Sequence, residues 1–467
     1  TDWFTHPDGA GEVIGDFVWQ YYDGAISFSG SGAAPDFTGQ DDTRPWDAYR
    51  ARIVDFYMNE GLTHLGAWSF CYCGNLVNIR YPSTLTSIGD AAFFRCNAIT
   101  EAVLPAGVTQ IGSEQGKAVY SFCNGIRRLV IEEGVTSIDN LVYQSNDANA
   151  SLEEIVLPST LTSLSYIFYY YYLRSLQRYV VSEDNAYYTA VDGVLYSKDM
   201  ATLFSYPPSH PGVYFKAPAS VRTFSIYAFS DAQNLRFLDL SETAATQMRL
   251  NLVIYSYKMQ NINVPAGVIS IASNSLRNLS SPFTKLFIPS SVQSVASNAL
   301  ETSASLTVYT DAENTAIGSL ASEKIGVEVL AGHTHSYSDI AYEEPASCTA
   351  AGFRILTCEC GQFTFESLPV NGQHQKTNPV VVPATCTAPG YTRYTCDLCG
   401  TVFEDDYTEL GPHDYSAQTV KDEALKAAAT SGIISRVEFL EAGGDVTSIR
   451  FEDVKIDATV EDSVFME

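Results

Sequence analysis

The chain has 467 residues, 46% of them hydrophobic, and 54 acidic against 27 basic side chains give it a net charge of −27. That balance excludes recognition of a phosphate backbone, which needs clustered Lys and Arg, and any general attraction to anionic membranes. No run reaches the roughly 18 apolar residues of a membrane-spanning helix, and the sequence opens at Thr1 without Met or a basic-then-apolar leader, as expected of a processed product or a trimmed chain.

Residues 1–60 do not share the pattern of the longer middle region. Two alternating runs, Phe17–Tyr21 and Ala25–Phe28, flank Asp23-Gly24 and read as a β-hairpin. Pro45-Trp46 comes after a polar loop, and Ile53–Met58 reads as the first rung of a repeating structure. The segment is expected to cap an end whose apolar core would otherwise meet water.

From Leu62 the chain repeats. Its clearest unit is Leu85–Pro105, LTSIGDAAFFRCNAITEAVLP, and versions start at Leu62, Leu85, Val108, Val135, Leu161, Val221, Val268 and Val292. Separations of 23 to 27 residues, or about two units where they are longer, mark a solenoid, whose core grows lengthwise and so needs no division into domains. In each unit the segment ending in proline is the strand, as in Leu76–Pro82, Leu152–Pro158 and Phe283–Pro289; alternate residues face inward, and proline has no N–H to continue the ladder. The other half, as in Ile88–Cys96, is expected to make one or two helical turns on the convex side. The fold class is therefore an α/β solenoid with a strand and a short helical turn per coil. Leu85, Ile88, Phe93, Ile99, Ala102 and Leu104 belong to its core. Cys73, Cys96 and Cys123 recur at one place in successive units and read as small buried packing residues.

Outward strand positions gather Asn78, Arg80, Glu101, Val103, Arg128, Val130, Glu154, Val156 and Arg178, then Phe237, Asp239, Asn261, Asn263, Lys285 and Phe287. Arg, aromatic and apolar side chains on one strip are what protein interfaces favour, although Val at exposed strand positions is also explained by β-propensity alone.

At residue 331 the composition changes. Cys348, Cys358, Cys360 and His374 form one module, and Cys386, Cys396, Cys399 and His413 a second, with corresponding cysteines 38 or 39 residues apart. Three Cys and one His would close a tetrahedral zinc site with no open position, which makes it structural rather than catalytic. Disulfides are the competing reading, favoured outside the cell, but three cysteines per module leave one over or send it to the neighbour. His333-Thr-His335 is either linker or half of a metal site, with His335 replacing a weaker ligand of the first module. Val420–Thr430 reads as a short helix or a decayed third module, and Val437–Phe465 as a few strands. The expected divisions are residues 1–60, 61–331 with a β-hairpin insertion near 187–207, 332–375, 376–413 and 414–467.

The repeat resembles the BspA-like leucine-rich repeat family, over roughly residues 12–330. The insertion Val191–Pro207, VDGVLYSKDMATLFSYP, is similar to a hairpin these proteins carry mid-array, Gly15–Gly32 with Pro45-Trp46 looks like their N-terminal segment, and the cysteine modules look like small repeats appended to such surface proteins in bacteria. The resemblance implies a leucine-rich repeat right-handed superhelix on a secreted or cell-surface protein that binds a protein or glycoconjugate ligand, with adhesion among its roles. A structural cell-envelope component and a carbohydrate-binding surface protein are the alternatives. No catalytic residues are assigned: the sequence has no GxSxG, HExxH or P-loop motif. Structural Zn in the two C-terminal modules is the one cofactor expected.

Overall fold

The computed structural model describes residues 10–111, 117–138, 143–144, 151–164, 173–279, 282–302, 304–370, 372–411, 436–440 and 446–450. Contacts divide the chain into two units, residues 1–339 with 356–364, and residues 340–355 with 365–467.

The first unit is a β-solenoid of about nine turns with little helix. It begins with three antiparallel strands, Ala10–Ile14, Phe17–Tyr22 and Ala25–Gly30. The last two are joined by Asp23 and Gly24 at φ of 45° and 85°, the paired left-handed residues of a two-residue hairpin turn. Ala25–Gly30 then pairs in parallel with Asp55–Met58, and that strand with Asn78–Arg80, so the third strand of the meander is also the first rung of the solenoid. Trp46 is fully buried among Phe17, Phe28 and Phe37, and its indole N–H donates to the Ser69 carbonyl at 2.9 Å.

The proline-ended segments are strands, and they stack in register. Glu101–Leu104, Arg128–Ile131, Glu154–Leu157 and Arg178–Val181 form one parallel sheet. A second wall is built from two-residue strands such as Ser87–Ile88 against Gln110–Ile111. Between Val181 and Tyr214 an antiparallel excursion intervenes, Tyr188–Val191, Val194–Ser197 and Thr202–Ser205, before the outer strands resume at Tyr214–Lys216, Phe237–Asp239 and Asn261–Asn263. Leu85, Ile88, Phe93, Cys96, Ile99, Ala102 and Leu104 are all buried in the core. An aromatic spine runs through this core at the repeat spacing: Phe28 on Phe70, Phe70 on Phe93 and Phe93 on Tyr120, stacked with ring centroids 5.2–5.6 Å apart.

The described convex segments are not helical, which corrects the α/β expectation. Among the described residues the helices are a 3₁₀ segment, Asp47–Arg52, and one α turn, Thr315–Gly318. The cause is in the backbone. Trp68 and Tyr72, Ala91 and Arg95, Tyr227 and Asp231, and Asn251 and Tyr255 are pairs four residues apart, all with φ between 50° and 63°. A left-handed residue every fourth position breaks any α-helix. It turns the backbone N–H groups along the solenoid axis instead, where Phe70 donates to Ala92, Phe93 to Val119 and Phe229 to Leu252 at 2.8–3.0 Å. These bonds offset left-handed conformations that cost roughly 1–2 kcal/mol each in non-glycine residues.

The recurrent cysteines fill the space beneath that wall. The Cys96 thiol donates to the Phe70 carbonyl at 3.0 Å and the Cys123 thiol to the Phe93 carbonyl at 2.8 Å, in each case the Phe of the preceding coil. Burial pushes the Cys123 thiol up to about 12 and the Cys96 thiol well above its ordinary value, which disfavours the thiolate in both. Ser256 bonds the Phe229 carbonyl in the same way at 2.9 Å. Cys96→Ser is therefore expected to retain fold and solubility, whereas Cys96→Leu should overpack the coil and lower stability by about 1–3 kcal/mol in urea denaturation.

In the second unit Lys376–Val382, Tyr391–Cys396 and Val402–Asp405 form an antiparallel sheet, and Arg436–Leu440 pairs with Val446–Arg450. The segment Val420–Thr430 and the remainder of Val437–Phe465 lie outside the described residues.

Candidate binding face and metal centres

The strand register decides which outward side chains meet. On the first sheet Asn78 sits beside Asp55, to whose carboxylate its amide donates at 2.7 Å, and Arg80 lies over the Tyr57 ring at 5.5 Å. On the next sheet Glu101, Arg128, Glu154 and Arg178 form one row across four strands. Arg128 donates to Glu101 and to Glu154 at 2.7 Å, and Arg178 donates to the other Glu154 oxygen at 2.5 Å. Burial raises the Glu154 pKa, but the two guanidinium groups outweigh it and hold the carboxyl below its ordinary 4.5.

A carboxylate depressed in the folded state stabilises it above the unfolded value and loses that contribution as pH falls through the lower folded value. Exposed pairs of this kind contribute about 0.2–1 kcal/mol each. Glu154→Gln should thus lower stability by about 1 kcal/mol at pH 7, with parent and variant converging below pH 4.5 in pH-dependent urea melts.

Two residues along the same strands, Val103, Val130, Val156 and Val180 form a parallel apolar row. Val130, Val156 and Val180 line an open depression of about 570 Å³, with Glu132, Glu133 and Ser182 at its rim. The neighbouring acids are committed to structure: Glu133 accepts the Ser159 N–H and hydroxyl, Glu132 accepts the Ala106 N–H, and Glu153 pairs with Arg127.

The later outward positions are placed differently. Phe237 is 0% exposed, Asp239 8%, Asn263 5% and Phe287 7%, whereas Lys285 remains exposed and Asn261 half-buried. Residues 356–364 account for this. Asn261 Nδ2 donates to the Gly361 carbonyl at 2.7 Å, and Asn263 both donates to the Phe363 carbonyl at 2.8 Å and accepts its N–H at 3.1 Å. The Phe363 ring meets Phe237 and Tyr214 edge-on, at 5.6 and 6.3 Å between centroids. Phe287 packs with Cys358, Cys360 and Tyr337.

The cysteines and histidines gather into two groups of four, and the grouping differs from the modular one read from sequence. His333, His335, Cys358 and Cys360 form the first; Cys348, His374, Cys396 and Cys399 form the second, with the ligand atoms of each group within 4.8 Å of one another. Cys348 and His374 thus join the cysteines of the following module, Cys386 lies in neither group, and His413 lies outside the described residues. A zinc tetrahedron with Zn–S near 2.3 Å and Zn–N near 2.0 Å has S···S edges of about 3.8 Å and N···S edges of about 3.5 Å. Cys348 and Cys396 sulfurs are 3.7 Å apart, and His374 Nδ1 is 3.4 Å from Cys399 Sγ. In the first group His333 Nε2 is 3.2 Å from Cys358 Sγ, and His335 Nδ1 is 3.3 Å from Cys360 Sγ. The other ring nitrogen of His333, Nδ1, faces the Glu359 carboxylate at 3.6 Å, the kind of outer partner that fixes a ligating imidazole.

Electrostatics divide the thiols within each group. Burial pushes Cys358 up, but the Cys360 N–H and the two histidines outweigh it and bring the thiol to about 6. Burial and the neighbouring Cys358 take Cys360 to about 12. In the second group hydrogen bonds from Thr401 and Cys348 bring Cys399 to about 6, while Cys348, facing Cys399 and Cys396, rises to about 12. A divalent cation would remove this mutual opposition by holding both sulfurs of a pair as thiolates.

The chain resembles several solved bacterial structures. A leucine-rich repeat protein from Eubacterium ventriosum is 21% identical, covering 63% of this chain and 95% of its own, with a TM-score of 0.41. The pneumococcal vaccine antigen PcpA is 15% identical over 69% of this chain and 98% of its own, with a TM-score of 0.43. A leucine rich cell surface protein from Faecalibacterium prausnitzii is 16% identical over 67% and 97%, with a TM-score of 0.41. Comparison with curated proteins gives no match. No helix among the described residues is long and apolar enough to cross a membrane. The family model described as the BspA type leucine rich repeat region matches in six copies over residues 48–176 and 210–324, more than half of the chain. With its parallel coils and inward leucines over the same residues, the chain belongs to the BspA-type leucine-rich repeat family.

Proposed function

We propose that this is a secreted or cell-surface, non-enzymatic binding protein whose outward strand face recognises a protein ligand. The observation that carries the reading is the in-register pair of rows across residues 101–181. The charged row is neutralised within itself, and the valine row beside it, half-buried at Val103, Val130 and Val156 and exposed at Val180, lines an open depression. Apolar contact area framed by already paired charges suits a protein interface, where desolvating unpaired charges would be costly. Membership of a family whose solved relatives include a cell surface protein is consistent with that location.

The test is a binding screen of the full chain against soluble extracellular proteins and a glycan array. Val130→Asp and Val156→Asp change only the open row and should leave the thermal midpoint nearly unchanged while weakening a protein hit by tenfold or more. Binding to glycans alone would favour carbohydrate recognition. Absence of any hit, together with release from cells on deletion of residues 414–467, would favour the structural envelope reading.

The same proposal includes structural Zn²⁺ at both Cys/His groups, supported by ligand-atom spacings close to tetrahedral edges. Purification without chelator should give two Zn²⁺ per chain by elemental analysis. No metal, together with no titratable thiol in denaturant beyond the four solenoid cysteines, would replace zinc by disulfides.

A further inference from the structure

The four donors of the first Cys/His group come from two separate stretches of chain. His333 and His335 come directly after the last solenoid strand, Ile325–Val329. Cys358 and Cys360 belong to a returning segment that lies across the outward faces of Phe237–Asp239, Asn261–Asn263 and Lys285–Phe287. Asn263 holds the Phe363 backbone by both donor and acceptor, as a neighbouring strand would. His335 sets its ring edge-on against Phe287 at 5.1 Å between centroids. The segment therefore occupies, from within the chain, the surface that the earlier coils leave open.

Its other attachments include three hydrogen bonds from Asn261 and Asn263, the Tyr337 hydroxyl on Gln362 at 3.5 Å, the Thr357 hydroxyl on the Asp339 carbonyl at 3.3 Å and the Phe363 ring. Ordering a nine-residue segment loses backbone freedom at every position, and the two thiols at its turn are buried opposite two imidazoles. We propose that Zn²⁺ bound by His333, His335, Cys358 and Cys360 is the clasp that holds residues 356–364 on the strand face, and that removing it uncovers a second recognition surface made of Tyr214, Phe237, Asn261, Asn263 and Phe287. The proposal rests on the zinc reading above. The uncovered surface has an aromatic floor and a pair of side-chain amides at strand spacing, the chemistry that takes an extended peptide carrying an aromatic residue.

Gly361 supplies a probe that leaves all four donors in place. Its φ is 90°, and an added Cβ would lie 2.7 Å from Lys285 Cβ, so Gly361→Val should strain the segment against the face and weaken its hold without removing a ligand. The experiment uses the full chain carrying Cys399→Ser, which empties the other group and leaves one Zn²⁺ to follow. Hydrogen exchange of residues 235–240, 259–264 and 358–364 is measured before and after chelation. Tenfold or faster exchange in all three on chelation, reversed by added Zn²⁺, is the expected result, and Gly361→Val should reach the same exposure at a lower chelator concentration. One Zn²⁺ bound but protection indifferent to its removal would overturn the clasp while leaving the metal site standing. No Zn²⁺ in the Cys399→Ser chain would overturn the metal reading and the clasp with it.

Discussion

Phe93→Ala is expected to lower the stability of the solenoid by about 3–5 kcal/mol, the range for deleting a fully buried phenyl group. Phe93 is 0% exposed and sits at the middle of the aromatic spine, stacked on Phe70 at an 8° interplanar angle and on Tyr120 at 12°. Its loss removes two stacked contacts as well as the transfer term. The cavity cannot close by collapse, because the coil spacing is set by hydrogen-bonded ladders on both sides, Phe93 N–H to Val119 among them. Since coils touch only their neighbours, the damage should be local: faster hydrogen exchange across residues 70–123, with little change beyond 214. The control is Phe94→Ala. Phe94 is 4% exposed in a small cluster with Cys71 and Ala91, outside the main core, and its truncation should cost visibly less. Equal losses for the two in urea denaturation would mean that the spine has no special role.

The parts of this fold that were legible in the sequence are those whose chemistry forces a pattern. Proline at the end of Leu76–Pro82 and Leu152–Pro158 marks a strand edge, and the alternation before it places Ile155 and Leu157 inward, where they are buried. The convex wall carries no such mark. Its left-handed positions hold Trp68, Tyr72, Ala91, Arg95 and Phe122, residue types that do not announce positive φ, so a short amphipathic segment looks helical. Only in later coils do Asp231, Asn251 and Asn274 occupy such positions with side chains that favour them. The outward face divides the same way. Row membership of Glu101, Arg128 and Glu154 can be read from the repeat spacing, but the burial of Phe237 and Asn263 comes from residues 100 or more positions away and leaves no trace in either segment.

The metal groups show how a periodic sequence can hide a stagger. With corresponding cysteines 38 or 39 residues apart, the spacing alone does not separate a ligand set drawn within one module from a set drawn across two. The side chains gather in the second way, and Cys348→Ser separates the two outcomes. A set confined to the first module would lose the ion at Cys358 and Cys360. In the staggered arrangement that ion keeps all four of its donors, and the loss falls on His374, Cys396 and Cys399, of which Cys396 stands 3.7 Å from Cys348. The expected result is one Zn²⁺ per chain instead of two, with residues 376–405 losing exchange protection and the segment 356–364 keeping it. The effect on the second unit should be large, because structural Zn²⁺ contributes on the order of 10 kcal/mol to the folding of small metal-dependent domains, and the sheet it would anchor exposes Val380, Val381 and Val402 to solvent. His335→Ala is the mirror experiment, leaving the second ion in place and removing the first. If Cys348→Ser instead empties the Cys358 and Cys360 pair, each module closes on itself and the stagger is wrong.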